Sequence, residues 1–242
     1  MRDRLLEMAR ADARVTAGAI VGSLAGDGGD RWSDLDLSFG LAPGATPAGL
    51  LTEWTPRLER ELGAVPLFDL PFQSSLYRVF LLPGQLQVDL SFTPGAEFGA
   101  LGPRFTLLFG EAVTRTHVPP PSAATLFGLG AHHAVRARFC LERGRLWQAE
   151  YWISGARDQA LALACLRHGL EPRHGRGDDD LPAGVTVRFT DALVRSIDRH
   201  ELLRALGSAI EALLRESRDV REVASRVEVE LRALVSPGWP DR

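Results

Sequence analysis

The sequence predicts an α+β protein, in which a mixed β-sheet with flanking helices is followed by a C-terminal α-helical bundle. Short apolar segments with the two-residue period of strands dominate the first half, whereas apolar residues in the second half recur at helical spacing. Between them, segment 116–124 contains three consecutive prolines, which continue neither a strand nor a helix. We therefore expect two domains, residues 1–118 and 119–242.

In the first half, a helical pattern over residues 3–15 precedes the first strand. A second helix is predicted where Leu50, Trp54, Leu58 and Leu62 recur every four residues before Gly63, a typical C-terminal cap. Pro56 lies inside that pattern, which predicts either a kink or a later start. Strands are predicted over residues 17–22, 34–39, 65–70, 75–82, 86–92 and 104–110.

The second half contains longer periodic segments without strand alternation. Gly144 separates the first two of them, and the last carries a seam of valines and leucines at helical spacing. Helices are predicted over residues 122–143, 145–169, 190–198, 200–216 and 219–235.

Composition restricts the function classes. Of the 242 residues 45% are apolar, which is enough for a packed core. The formal net charge is -3, which argues against a long basic surface for binding nucleic acid. The N-terminal segment is charged and amphipathic, and no run of about 18 apolar residues occurs, so no membrane partner is expected. Two cysteines are too few for a disulfide scaffold. We expect a cytoplasmic protein.

Acidic residues recur on one side of two predicted strands. Asp34, Asp36 and Ser38 share one strand face, because side chains alternate along a strand. Asp89 lies within another apolar strand, where an unpaired carboxylate is costly to bury. If these strands are neighbours, Asp34, Asp36 and Asp89 form a three-carboxylate cluster of the kind that binds Mg²⁺ beside substrate phosphates.

The second feature is Gly22-Ser23, at the end of the first predicted strand. A glycine there allows a phosphate to approach the backbone, and a following helical turn would present free N–H groups. The Ser23 hydroxyl can donate one further hydrogen bond. Asp27 and Asp30, in the same segment, are expected to be loop residues rather than ligands.

Taken together, Gly22-Ser23, ten intervening residues, the run Asp34-Leu-Asp-Leu and the later Asp89 resemble the nucleotidyltransferase superfamily of the DNA polymerase β type. The resemblance covers residues 17–92. It implies that Asp34, Asp36 and Asp89 ligate Mg²⁺ and act in catalysis, and that Gly22 and Ser23 contact the triphosphate of ATP or another nucleoside triphosphate. Many members carry a basic residue where this sequence has Gly26, so one expected phosphate contact is missing; Arg31 or an arginine of the helical half is a substitute.

A weaker resemblance links the second half to the helical domain of antibiotic nucleotidyltransferases of the lincosamide and aminoglycoside kind. It implies that this half binds a small-molecule acceptor, such as an antibiotic, through a hydroxyl. Glu150 and Arg157 share a helix face and are the predicted acceptor-binding residues, with surface ion pairing as the equal alternative. For Trp147 and Tyr151, core packing is favoured over stacking on a ligand.

The expected reaction is Mg²⁺-dependent transfer of a nucleoside monophosphate, AMP in the first instance, to a hydroxyl, with release of pyrophosphate. Two alternatives remain open at this point. One is a protein-modifying nucleotidyltransferase of the antitoxin type, which usually has a shorter chain. The other is a nucleotide-binding module that has lost catalysis, which the missing cation at position 26 favours. A template-free polymerase fits the acidic composition poorly. The base preference and the oligomeric state are not predicted.

Overall fold

The chain forms two compact units, Met1–Val118 and Pro119–Arg242. A computed structural model describes residues 1–26 and 28–236. Asp27, predicted to be a loop residue, lies outside this range, as does the C-terminal segment 237–242.

The first unit is built on a six-stranded mixed sheet with the strand order β3-β4-β5-β2-β1-β6. Strands β2 and β5 pair in parallel, and every other neighbouring pair is antiparallel. The predicted α+β class is confirmed. The strands are β1 (Val15–Val21), β2 (Leu35–Leu41), β3 (Val65–Phe72), β4 (Ser75–Leu82), β5 (Leu86–Pro94) and β6 (Phe105–Phe109), and the helices are α1 (Arg2–Ala11) and α2 (Pro47–Leu62).

Helices α1 and α2 cover one face of this sheet. Phe39 and Phe92, on adjacent strands, pack against Trp54 of α2 with ring centroids 5.1–5.7 Å apart. Leu5 and Met8 of α1 belong to the same buried cluster. We call this side the covered face.

Pro56 predicts either a kink or a later start of α2, and the second alternative is wrong, because the helix begins at Pro47 and includes Pro56. The Thr46 side chain accepts a hydrogen bond from the Gly49 backbone N–H and so caps the first turn. Proline is favoured at a first helical position, since its missing N–H would have no partner there. Gly63 ends the helix in the left-handed conformation, with φ 63°.

The second unit is helical. Its core is made of alanines and leucines together with the two buried cysteines, Cys140 and Cys165, as expected of small apolar side chains. Gly144, with φ 65°, separates the first two helices. The helices are α3 (Ala123–Glu142), α4 (Leu146–Arg167), α5 (Ala183–Thr186), α6 (Arg199–Arg215) and α7 (Arg221–Ala233).

The prediction of a helix over 190–198 is wrong. A 3₁₀ segment ends at Ala192, and Asp198 adopts an extended conformation in which its side chain caps α6 through the Glu201 N–H. Arg204 of α6 donates to the carbonyl oxygens of Asp191 and Leu193, which holds the connecting chain out of a helix. Side-chain capping and these long-range hydrogen bonds outweigh the weak local periodicity.

Across residues 1–26 and 28–236, none of the helices combines the length and apolar character needed to cross a membrane.

Candidate active site

Three carboxylates meet on the face of the sheet opposite α1 and α2, which we call the open face. Asp36 of β2 pairs in register with Asp89 of β5, and Asp34 precedes β2 by one residue. Each of the three offers an oxygen atom that lies within 4.8 Å of those of the other two. The parallel pairing of β2 with β5 is what brings the acids together, because residues in register on neighbouring strands project to the same face.

All three acids are half-buried. Burial raises the pKa of Asp89, the negative charge of Asp34 raises it further, and a hydrogen bond from Gln87 opposes both effects. The Gln87 side-chain amide donates to Oδ1 of Asp89 over 3.0 Å. This contact fixes the carboxylate while leaving its second oxygen for another partner.

Gly22 has a role that the sequence pattern did not indicate. Its φ is 71°, a conformation that residues other than glycine rarely adopt. A Cβ placed on it would lie 2.1 Å from Oδ2 of Asp36. The missing side chain therefore makes room for the Asp36 carboxylate against the end of β1. Ser23 follows in a single 3₁₀ turn, Gly22–Ala25. Its hydroxyl is shielded from solvent and has no hydrogen-bond partner among the described residues.

Hydroxyl groups continue along the open face behind the acids. Ser91 donates to Ser38 over 2.9 Å, two residues beyond the Asp89 and Asp36 pair on the same two strands. Tyr77 is hydrogen-bonded to Ser91, and burial together with the charge of Asp36 raises the pKa of the Tyr77 phenol. The open face is thus polar in two consecutive layers, where the covered face is apolar.

A cavity of about 110 Å³ adjoins this hydroxyl layer. The sequence analysis missed two arginines at its wall, Arg104 and Arg115, although Arg104 could have been found from its position as the first residue of the last strand predicted in the domain. The lining also includes Val21, Ser38, Ser75, Tyr77, Thr93, Phe98 and Phe105.

A larger groove, of about 670 Å³, lies in the second unit. Its wall contains Arg204, whose guanidinium is already paired with Glu201 at 2.7 Å. The described part of the second unit has no cluster of three metal-ligating side chains, whereas the first unit has one. The carboxylate cluster is therefore the candidate active site.

The predicted acceptor-binding residues lie on α4 and form a polar chain along it. Ser154 donates to Glu150 over 2.7 Å, and the Arg157 guanidinium donates to Asp158 over 2.7 Å. Arg157 also donates to the Ser154 hydroxyl over 3.5 Å, so Glu150 and Arg157 belong to one polar network on α4. The preference for core packing of Trp147 and Tyr151 is wrong, since 75% and 66% of their surfaces are exposed.

The donor set fits a hard divalent cation. Carboxylate oxygens are the ligands that Mg²⁺ prefers, and Mg²⁺ usually takes one or two of them and completes its shell with water and phosphate oxygens. Three converging carboxylates would repel one another without a cation. The fold and the site together describe an α+β protein with an acidic cluster suited to Mg²⁺ on the open face of a mixed sheet.

Comparison with known proteins finds solved structures of similar fold. A solved structure described as an aminoglycoside 6-adenyltransferase from Bacillus subtilis aligns over 98% of this chain and 98% of its own, with 12% sequence identity and a TM-score of 0.44. No protein-family model and no curated protein matches the sequence.

Proposed function

We propose that this protein is a Mg²⁺-dependent nucleotidyltransferase. It transfers the nucleoside monophosphate of a nucleoside triphosphate, AMP from ATP in the first instance, to a hydroxyl of a small molecule and releases pyrophosphate. The observation that carries this proposal is the convergence of Asp34, Asp36 and Asp89 within 4.8 Å on an otherwise uncharged strand pair.

Asp34, Asp36 and Asp89 would hold the metal. Magnesium bound there would supply Lewis-acid stabilisation of the charge on the phosphoryl oxygens. Asp34 and Asp36 project from the start of one strand, so their spacing is set by the backbone rather than by flexible loops. Gly22 leaves the space in which Asp36 can adopt this position.

Asp89 is proposed to orient the acceptor hydroxyl and to take its proton. The acceptor oxygen forms a bond to the α-phosphorus, and the bond from that phosphorus to the bridging oxygen breaks. The electron pair of the broken bond leaves with pyrophosphate. The hydrogen bond from Gln87 to one oxygen of Asp89 restricts the carboxylate, so its other oxygen has a defined direction toward the acceptor.

Gly22 and Ser23 are proposed to contact the triphosphate. The Ser23 hydroxyl lacks a protein partner in the described chain, as expected of a donor reserved for a ligand oxygen. Glu150 and Arg157 remain the proposed acceptor-binding residues, through hydrogen bonds to hydroxyl groups and an ionic contact respectively.

The test is incubation of the purified protein with Mg²⁺, ATP labelled at the α-phosphate, and a panel of hydroxyl-bearing small molecules, together with extracts that supply unknown acceptors. We expect label on a small molecule and release of pyrophosphate. The double variant Asp34→Asn, Asp36→Asn should lose at least about a thousandfold of the activity while remaining folded. Asp3→Asn, an exposed acid of α1, is the matched control and should retain full activity.

The same assay separates the alternatives. Label on protein would favour a protein-modifying nucleotidyltransferase. Binding of Mg²⁺ and ATP without pyrophosphate release from any acceptor would favour an inactive nucleotide-binding module, for which the absence of a basic residue at Gly26 is the motivating feature. Full activity of the double variant would refute the assignment of the acids.

A further inference from the structure

The residues of the candidate site carry negative charge and supply no positive charge for the phosphates of a nucleotide. Three carboxylates converge there, and a nucleoside triphosphate adds about four more negative charges, which bound Mg²⁺ neutralises only in part. The turn next to the acids, Gly22–Gly26, contains no basic residue. A cation from elsewhere in the fold would have to stabilise the terminal phosphates.

Arg104 lies at the end of the strand next to this turn. Strand β6 pairs antiparallel with β1, and Phe105 is the partner of Val21. The next residue along each strand is Arg104 on one side and Gly22 on the other, so the two backbones are adjacent at the end of the ladder. Arg104 also lines the cavity that Val21 and Ser38 share. The pairing of β6 with β1 thus places an arginine beside the turn that lacks one.

Arg104 is available for a ligand, in contrast to the other arginine of the same cavity. Arg115 donates to the Glu97 carbonyl oxygen over 2.8 Å and to the Gln73 side chain, so it is committed to the protein. Arg104 is exposed, and the residues that the structure describes offer its guanidinium no hydrogen bond or ion pair. A second donor without a partner among the described residues is the shielded hydroxyl of Ser23, which lies on the turn formed by residues 22–26.

We propose that Arg104 binds the β- and γ-phosphates of the nucleotide and supplies the positive charge that residues 22–26 lack. This inference rests on the proposed function. Arg104 then neutralises the charge that develops on pyrophosphate as the bond to the α-phosphorus breaks. Its planar guanidinium is suited to this task, because it can donate two parallel hydrogen bonds to phosphate oxygens.

The experiment measures binding of ATP, pyrophosphate and AMP by calorimetry in the presence of Mg²⁺, with the full chain and no acceptor. AMP lacks the two phosphates in question. We expect Arg104→Ala to weaken ATP and pyrophosphate binding by about tenfold to a hundredfold and to leave AMP binding unchanged. Arg104→Lys should bind ATP with intermediate affinity. Arg60→Ala is the matched control, since Arg60 is an exposed arginine of α2 on the covered face that donates to the Pro56 carbonyl oxygen, and it should match the wild type.

A second arm tests the replacement directly. Gly26 has an extended backbone, φ -150°, and a Cβ there would meet no described atom within 4 Å, so this position can accept a side chain. We expect Gly26→Arg to restore ATP binding in the Arg104→Ala background. Absence of rescue would overturn the claim that Arg104 supplies the charge missing from the turn.

The outcomes separate this inference from the proposed function. A wild-type protein that binds ATP, with Arg104→Ala binding it equally well, overturns the inference alone. Equal losses for ATP and AMP also overturn it, since they would indicate a general disturbance of the site. A wild-type protein that binds neither ATP nor pyrophosphate overturns the proposed function and the inference with it.

Discussion

The two faces of the sheet in the first unit are made by the same strands and have opposite properties. On β5, Phe92 is fully buried among aromatic rings. On the other side, its neighbour Thr93 lines a hydroxyl-rich cavity and its neighbour Ser91 donates to Ser38. On β2, Leu35, Leu37 and Phe39 form core where Asp36 and Ser38 form the candidate site. Because side chains alternate, adjacent residues of one strand therefore differ in role: one packs in the core and the next belongs to the candidate site.

The largest expected difference between the faces is in stability. Phe92→Ala removes a ring in contact with Phe39 and Trp54 and should lower the free energy of unfolding by about 3–5 kcal/mol. Ser91→Ala, on the opposite face, removes hydrogen bonds to Ser38 and Tyr77 and should cost about 1–2 kcal/mol. Urea denaturation of both variants measures this difference. Equal losses would contradict the division of roles between the faces.

Gly22→Ala tests the open face where it meets the end of β1. The new methyl group would be placed 2.1 Å from Oδ2 of Asp36, in a backbone conformation that alanine adopts only with strain. Displacing this carboxylate should reduce Mg²⁺ affinity and transfer activity by about a hundredfold. Calorimetric titration with Mg²⁺ checks the first effect. Gly84→Ala, a turn glycine with φ 79° and open space around it, controls for backbone strain alone.

Acidification should lower the free energy of unfolding through protonation of Asp12, which lies on the covered side of the sheet. The Trp54 indole N–H donates to Asp12 over 3.0 Å, and hydrogen bonds from Arg14 are the largest cause that holds the pKa of Asp12 well below its usual range. A depressed pKa in the folded state adds stability above the ordinary value of about 4, and that stability is lost as the pH falls below it.

The measurement is the free energy of unfolding of the wild type and of Asp12→Asn between pH 7 and pH 2. The variant should be about 2 kcal/mol less stable at pH 7, and the difference should shrink as the pH falls below about 4. A difference that stays constant over this range would show that the Asp12 charge contributes nothing.

The smallest expected effect concerns Gln87, which holds one oxygen of Asp89. Gln87→Ala should lower the transfer rate by about tenfold and leave the free energy of unfolding within about 0.5 kcal/mol of the wild type, because Gln87 is exposed. Gln85→Ala, in the adjacent turn, is the control for a nearby glutamine. An unchanged rate in Gln87→Ala would show that Asp89 does not depend on this contact.

Local periodicity was sufficient for most elements of the fold. Alternation along Asp34–Phe39 and Leu86–Phe92 assigned the acids to one face of each strand, and helical spacing located α3, α4 and α6 to within a few residues. It failed at residues 190–198, where caps and hydrogen bonds from Arg204 outweigh a weak pattern. It also failed at Trp147 and Tyr151, because α4 is rich in apolar residues on several sides and periodicity alone does not say which side is exposed.

By itself the sequence determined which residues carry charge, which face of a strand each of them takes, and where the chain changes from strands to helices. Only the tertiary structure decided which strands are neighbours. The pairing of β2 with β5 spans the helix and hairpin between them, and the pairing of β6 with β1 brings Arg104 to Gly22 across more than half of the first unit. Side-chain alternation is a local property of the backbone, whereas strand order depends on how all the apolar faces are buried together, and no short segment contains that information.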